Sequence, residues 1–257
     1  MYTMRGQAYV ALHGGAGDAY SWRQRTRGDR NMTDQGTATR QAETAAEPER
    51  SERLTRLDWL DLALKTLVED GIDRVKIQIM ARQLDVARSS FYWHFESSEA
   101  LHKAMLEDWL KKNTSPIIER AMRPAPDIIR AVINVFECWT DEALFNPSLD
   151  IAVRLWARRS AEVRRVVLEA DQLRIDALRR MFLRHGYPEH EALIRGRVIY
   201  YTQIGHHTLD EFEQPEVRFS HGPAYLHIFT GLVPDEALCR EFFEKLDETY
   251  FRPRRGR

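Results

Sequence analysis

Residues 75–101, VKIQIMARQLDVARSSFYWHFESSEAL, decide the fold of the N-terminal region. The first part predicts a short helix, because apolar side chains recur there at helical spacing, namely Ile77, Met80, Ala81 and Leu84. Asp85 then marks a tight turn, after which Phe91 and Phe95 lie four residues apart in a second short helix. Side chains at this spacing share one helix face, so we expect both rings to point into the same small core.

The opposite face of the second helix carries hydroxyl groups and aromatic rings but no run of charge. With Phe91 turned inward, the residues predicted to face outward are Ser89, Ser90, Tyr92 and Trp93. A helix that is packed from behind and offers such groups suits the major groove of DNA. The stretch therefore predicts a helix-turn-helix.

Amphipathic helices flank this motif on both sides. The preceding helix ends before Gly71, and its predicted apolar stripe is Leu57, Leu60, Leu64, Leu67 and Val68. The following helix opens at Ser97 and runs through Leu106, Trp109 and Leu110. In order and spacing, residues 54–106 resemble the DNA-binding domain of TetR-family transcriptional regulators. The matching positions are Leu60, Ala63, Leu64, Gly71, Ala81, Leu84, Val86, Tyr92, His94, Phe95, Glu99 and Leu101.

The turn and the caps depart from the family pattern. The turn usually carries Gly, Val and Ser, and this chain has Asp85, Val86 and Ala87. Aspartate tolerates a left-handed backbone, so the turn remains feasible. Ala87 cannot cap the second helix, which costs about 1 kcal/mol relative to serine. Lys76 stands where the family tends to place a capping hydroxyl, and Ser98 stands where a phosphate-contacting lysine is common.

The resemblance implies an all-α fold, with an N-terminal three-helix helix-turn-helix DNA-binding domain and a larger helical ligand-binding and dimerisation domain. We assign residues 51–111 to the first domain, 112–251 to the second and 252–257 to a basic tail. In the second domain, Ser148 and Ser160 are the expected caps of two helices, and the helix that Ser160 caps is expected to stop at Gly186. Residues 1–50 lack periodic apolar residues and are predicted to be disordered. Two interpretations of residues 1–31 stay open: an over-extended reading frame with the true start at Met32, or a flexible arm.

Composition sets limits on the partners of this chain. Its 257 residues suffice for two domains, and its formal net charge of -1 predicts only modest non-specific affinity for DNA. Cys138 and Cys239 are too few and too far apart for a disulfide scaffold or a zinc site, which favours a reduced cytoplasm. No apolar run approaches the roughly 18 residues needed to cross a bilayer, so no membrane partner is expected.

The resemblance also implies partners for the C-terminal domain, including a second copy of the chain. Candidates for a homodimer interface are Leu193, Val198, Tyr201, Ile204, Leu238, Phe242 and Leu246, for which the alternative role is the core of a single chain. Candidates for lining a pocket for an unknown small-molecule effector are Phe136, Trp139, Trp156, Phe182, Tyr200 and Gln203. Further polar candidates on neighbouring helices are Arg154, Asp171 and His206. Aromatic residues at helical spacing also occur as plain core.

The sequence thus predicts a dimeric repressor that binds a palindromic operator in double-stranded DNA and is released by the effector. The residues expected to contact DNA are Lys76, Gln78, Arg88, Ser89, Ser90, Tyr92, Trp93 and His94. No cofactor or enzyme activity is expected, because no phosphate-binding loop, zinc-protease motif or nucleophile elbow is present. No metal site is expected either, since the adjacent His206 and His207 point to different sides of a helix. The alternative is a helical small-molecule-binding protein or enzyme with a degenerate DNA-binding domain, which the weak caps and Ser98 favour.

Overall fold

A computed structural model describes residues 54–141, 143–209, 217 and 220–240. Within these ranges every regular element is a helix, which confirms the all-α fold class. The predictions made for residues 1–50, Phe242, Leu246 and the basic tail fall outside the described residues. None of the described helices is both long enough and apolar enough to cross a membrane.

Helix α1, Arg56–Asp70, begins the DNA-binding region and packs through Trp59, Leu60, Ala63, Leu64 and Leu67. Thr55 and Asp58 form a capping box at its start, and Gly71 ends it with a φ of 81°. The predicted apolar stripe was wrong at two positions, because Leu57 and Val68 are exposed. Both lie just beyond the buried arc of the helix, which instead extends toward Trp59 and Ala63.

The helix-turn-helix follows a 3₁₀ turn at Ile72–Arg74. Helix α2, Ile77–Leu84, ends at Asp85 in the left-handed region (φ 57°, ψ 48°), as the sequence predicted. The second helix of the motif, Arg88–Trp93, is a 3₁₀ helix, and Ala87 gives it no side-chain cap. Helix α3, Ser98–Trp109, starts at Ser97, whose Oγ accepts a hydrogen bond from the Ala100 N–H at 3.2 Å.

A π-helical turn, Leu110–Thr114, joins α3 to α4, Ser115–Met122. No sequence pattern predicted this turn. The remaining helices are α5, Ile128–Thr140; α6, Pro147–Ala157; α7, Ala161–Arg184; α8, Glu189–Leu209; and α9, Gly222–Thr230. Residues 236–240 are also helical.

Two helix starts in this region test the predicted caps. Ser160 caps α7, and Gly186 follows its end with a φ of 84°, as predicted. The prediction that Ser148 caps α6 was wrong, because the side chain of Asn146 accepts from the Leu149 N–H at 3.0 Å. Pro147 explains the difference, since proline is favoured at the first helical position and the cap must precede it.

The helices enclose two apolar cores. One core joins α1, α2, the 88–93 helix and α3 to α6 and the first half of α7. The other joins α4, α5, the second half of α7, α8 and α9. The helix-turn-helix region therefore shares its core with α6 and α7 and is not separated from them by a linker. The boundary between two domains at residues 111 and 112 stays a prediction.

Candidate nucleic-acid interface and buried charge cluster

The 88–93 helix is fixed from behind by aromatic packing. Phe91 and Phe95 are buried and stack with their ring centroids 5.5 Å apart. Trp59 of α1 meets Phe91 edge-on at 5.3 Å, and the Arg56 guanidinium lies 4.6 Å from the centroid of the Phe95 ring. Such contacts leave the helix little freedom to rotate, so its outward side chains are held in a defined direction.

The outward face of this helix presents aromatic and cationic groups. Trp93 is 84% exposed and Tyr92 is 48% exposed. The guanidinium of Arg88 donates a hydrogen bond to the Tyr92 hydroxyl at 3.0 Å, so the two side chains lie side by side on the surface. Ser89 is also exposed. This arrangement offers hydrogen-bond donors next to apolar ring surface, and base edges in the major groove accept both kinds of contact.

The prediction that Ser90 faces outward was wrong, because Ser90 is only 2% exposed and its hydroxyl has no hydrogen-bond partner among the described residues. The face that the domain covers extends from Phe91 to its neighbour Ser90, so it is wider than the helical wheel assumed, and the small serine side chain fits there.

The other predicted DNA contacts border this face. Lys76 and Gln78 are exposed at the start of α2, where Lys76 makes no capping hydrogen bond. His94, which follows the 88–93 helix, is half-buried. Apart from Ser90, the predicted DNA-contacting side chains are therefore fully or partly accessible at the two helices of the motif.

A cluster of charged groups, two of them fully buried and two partly buried, lies where α6, α7 and α8 pack together. Asp150 and Arg154 come from α6, Asp171 and Arg174 from α7, and Tyr200 from α8. Arg154 forms two parallel hydrogen bonds to the Asp171 carboxylate, at 2.7 and 3.0 Å, and a third to Asp150 at 2.8 Å. The Tyr200 hydroxyl donates to Asp171 at 2.6 Å and accepts from both arginines, at 2.7 and 3.0 Å.

Asp150 and Arg174 are the most deeply buried pair of this cluster. They are joined at 3.1 Å, and their side chains are 2% and 0% exposed. Burial acts to raise the pKa of the Asp150 carboxyl, but Arg174 and Arg154 more than offset it and hold that pKa below its ordinary value. Burial raises the pKa of the Tyr200 hydroxyl, which therefore stays protonated and can donate to Asp171.

Arg154, Asp171 and Tyr200 were predicted as candidates for a ligand pocket, whereas Asp150 and Arg174 were not predicted as site residues. A signal for Arg174 was present, because it interrupts the apolar series Val163, Val167, Ala170 and Leu178 at helical spacing. A charged residue at such a position indicates a buried partner. Asp150 stands four residues before Arg154, which is the spacing of a helical ion pair.

The aromatic residues predicted to line a ligand pocket are distributed over two regions. Phe136, Trp139, Phe182 and Tyr200 belong to the core around α5, α7 and α8, where Phe136 packs against Trp139 and Phe229. Trp156 belongs to the other core and borders a groove of about 580 Å³ lined by α1, α6 and α8. Gln203 is buried and lies 2.7 Å from the imidazole of His207. Their assignment to a ligand site stays a prediction.

Helix α8 is apolar on two opposite faces. Its inner face buries Ala192, Ile199 and Gly196, and a Cβ atom at Gly196 would lie 3.1 Å from the backbone of Arg179. The outer face exposes a stripe of apolar residues, Ile194, Val198, Tyr201 and Leu209. Gly205 stands on the same stripe and has open space around it. We refer to these five residues as the α8 stripe.

The predicted dimer residues fall partly on this stripe. Tyr201 is 57% exposed and belongs to it. Leu193, Ile204 and Leu238 are instead partly buried against the core of their own chain. The exposed positions Ile194 and Leu209 were missed, although both follow the spacing of Tyr201 along the helix.

Within the described ranges, no three His, Cys, Asp or Glu side chains converge to hold a metal ion. Burial raises the pKa of the Cys138 thiol to about 12, so this cysteine is unreactive at neutral pH.

The fold and the exposed second helix define the class of the protein: an all-helical protein with an N-terminal helix-turn-helix of the DNA-binding type. Residues 60–105 match the sequence profile of the bacterial regulatory proteins of the tetR family. This match assigns the helix-turn-helix region to the N-terminal DNA-binding domain of that family, and it agrees with the resemblance found in the sequence. No curated protein gives a significant match over the chain.

Solved structures share the fold at low sequence identity. A TetR-family transcriptional regulator, PfmR, from Thermus thermophilus is 18% identical and has a TM-score of 0.53 over 69% of this chain and 99% of its own. A transcriptional regulator from Rhodococcus sp. Rha1 is 18% identical, with a TM-score of 0.51 over 70% and 96%. The reduced form of E. coli NemR is 16% identical, with a TM-score of 0.51 over 71% and 100%.

Proposed function

We propose that the protein is a homodimeric, sequence-specific repressor that leaves its operator when a small molecule binds. The observation that carries the proposal is the 88–93 helix, which presents Arg88, Tyr92 and Trp93 while Phe91 and Phe95 fix it from behind. Trp93 is 84% exposed next to Tyr92, which is 48% exposed, and two adjacent exposed aromatic rings favour contact with a partner. The proposed function involves no catalysis and no cofactor.

Each exposed group on this helix has a counterpart in DNA. The Arg88 guanidinium can donate two hydrogen bonds to the N7 and O6 atoms of guanine, and the Trp93 ring can contact the methyl group of thymine. Ser89, Tyr92 and His94 can donate to base edges or phosphate oxygens, and Lys76 and Gln78 lie at the neighbouring helix start. Ser90 is left out of the proposed interface because it is buried.

Dimerisation supplies the second half of the binding site. The α8 stripe supports it, because a helix with apolar residues on both faces is expected to be covered on both. Gly205 allows the backbone of a partner helix to approach closely there. Two helix-turn-helix motifs about 34 Å apart would enter successive major grooves on one side of the DNA, which predicts a palindromic operator.

A small-molecule effector would act by changing the distance between the two motifs. A ligand that prefers a DNA-incompetent arrangement shifts the population away from DNA, with a coupling free energy of typically about 1–3 kcal/mol. The proposed contacts are the aromatic residues of the C-terminal helices, Phe136, Trp139, Phe182 and Tyr200, with Gln203 as a polar partner. Trp156 lies in the other core, so we propose that it contacts a ligand only if the ligand binds in the groove lined by α1, α6 and α8.

Operator binding by two single variants tests this function. Tyr92→Ala and Trp93→Ala should each weaken binding to a selected operator by about tenfold or more, because a well-placed base contact contributes about 1–3 kcal/mol. Lys65→Ala is the matched control, since Lys65 is exposed on α1 of the same region and faces its i+4 partner Glu69. Fluorescence anisotropy would measure affinity, and sedimentation would confirm that each variant remains dimeric. Wild-type affinity in both aromatic variants would refute this interface.

A further inference from the structure

The junction between α3 and α4 contains an unusual backbone feature. Residues Leu110–Thr114 form a π-helical turn, which places one more residue in the turn than an α-helix has. Asn113 and Thr114 are buried although both are polar. Single π-turns are uncommon in proteins and are found often at functional positions. Because α3 belongs to the helix-turn-helix region, the number of residues in this turn helps to set the position of that region relative to α4.

Arg174 holds the π-turn from the side of α7. Its Nε and Nη2 atoms donate to the Thr114 Oγ1 at 3.1 and 2.8 Å. Its guanidinium also lies 5.0 Å from the centroid of the Trp109 ring, and the Trp109 Nε1 donates to Asp150 at 3.0 Å. The residues immediately before and at the end of the turn are therefore both tied to the buried charge cluster.

The same cluster reaches the helix that carries the α8 stripe. The Tyr200 hydroxyl accepts from Arg174 at 3.0 Å and donates to Asp171. Tyr201, the next residue, stands on the exposed stripe. A continuous series of hydrogen bonds thus runs from α8 through Tyr200 and Arg174 to Thr114.

Stability alone is a poor explanation for such a cluster. Taking two arginines and two carboxylates out of water is costly, and apolar packing of the same volume is often as stable or more so. A fully hydrogen-bonded polar cluster does, however, permit only one arrangement of the helices that contribute to it. One of these helices, α8, carries the apolar stripe, and the cluster also bonds to Trp109 and Thr114, at the turn that joins α4 to α3 of the helix-turn-helix region.

We propose that Arg174, Tyr200 and Thr114 form a latch that fixes the π-turn and thereby couples α8 to the position of the helix-turn-helix region. Loss of the bonds to Thr114 allows the turn to relax toward an ordinary α-helix. A change of register by one residue moves α3 along its axis by about 1.5 Å and rotates it by about 100° relative to α4. Thr114, Arg174 and Tyr200 act as positioning residues, and the consequence for DNA binding rests on the proposed function.

Two substitutions at one site test the latch in the full-length protein. Thr114→Val keeps the shape of the side chain but removes the oxygen that accepts from Arg174, whereas Thr114→Ser retains that oxygen. In Thr114→Val, the rate of amide hydrogen exchange at residues 104–118, measured by mass spectrometry, should rise by about tenfold or more. The reason is that a hydrogen bond to a charged group is lost. Thr114→Ser should remain close to the wild type, and α9 should be unchanged in both variants.

Equal exchange rates at residues 104–118 in the two variants would overturn the latch. An increase in exchange rate that is spread evenly over the whole chain in Thr114→Val would overturn it as well. Operator affinity supplies a second measurement. A change of fivefold or more in Thr114→Val, with unchanged dimer dissociation and a wild-type response in Thr114→Ser, is the expected result. Altered local exchange with unaltered affinity would overturn the coupling to DNA. Failure of the wild type to bind any operator would instead count against the proposed function, and the exchange measurement would still decide the latch.

Discussion

Replacement of Asp150 by asparagine should destabilise the protein strongly. The Asp150 carboxylate accepts hydrogen bonds from Trp109, Arg154 and Arg174, at 3.0, 2.8 and 3.1 Å. Asparagine has nearly the same shape but no charge, and its amide group has to face one of these donors. The cluster is balanced by the carboxylates of Asp150 and Asp171, so the substitution leaves one buried arginine charge without compensation.

The size of the effect follows from the burial of the pair. Removing one partner of a buried ion pair costs about 3–5 kcal/mol. For a protein of this size, each kcal/mol lowers the melting temperature by roughly 2–4 °C, so a decrease of roughly 6–20 °C is expected. Asp176→Asn is the control, because Asp176 also pairs with arginines on α7 but is 38% exposed. The loss there should stay below about 1 kcal/mol.

Urea unfolding monitored by tryptophan fluorescence measures both variants. The Asp150→Asn transition should shift to lower urea concentration with an unchanged slope, which would show that stability and not the unfolded state has changed. The lowered pKa of Asp150 adds a pH dependence. Its contribution is present above the pKa of the unfolded chain, about 3.9, and is lost as the pH falls through the lower folded value. A loss below about 1 kcal/mol in Asp150→Asn at neutral pH would refute this account of the cluster.

Three further substitutions have defined outcomes. Burial lowers the pKa of His102, so the folded state favours the neutral imidazole and loses stability as the pH falls below the unfolded value of about 6.5. His102→Phe should therefore reduce the difference in unfolding free energy between pH 7.5 and 5.5. An unchanged difference would contradict the lowered pKa of His102. Asp85→Ala should cost about 1 kcal/mol in urea unfolding because alanine is strained in the left-handed turn, and a neutral result would contradict that turn. Gly196→Val should cost about 1–3 kcal/mol by calorimetry because its side chain would force α7 and α8 apart, whereas wild-type stability would contradict their close packing.

Local features of the DNA-binding region could be predicted from the sequence because they depend on neighbouring residues. The left-handed turn at Asp85, the inward rings of Phe91 and Phe95, and the cap at Ser160 all follow from side chains a few positions apart. Ser90 was misplaced because the sequence does not show how far the covered face extends around the 88–93 helix. The boundary between a buried and an exposed face likewise depends on the helices that pack nearby, as Leu57 shows.

The buried charge cluster and the π-turn could not be derived in this way. Asp150, Arg174 and Tyr200 are far apart in sequence and meet only when α6, α7 and α8 pack together. The helical spacing of Arg174 indicates that it is buried, but the groups that it contacts depend on that packing. Arg174 stands 60 positions beyond Thr114, so its bonds to the π-turn leave no local signal in the sequence.

Selection of bound sequences from random duplex DNA, by the purified protein at stated salt, tests the central proposal most directly. The account predicts enrichment of a palindrome whose half-sites lie about one helical turn apart. The Trp93→Ala variant, selected in parallel, should lose this enrichment while remaining a folded dimer. No enrichment by the folded wild-type dimer, at low or moderate salt, would contradict the claim that the 88–93 helix reads DNA.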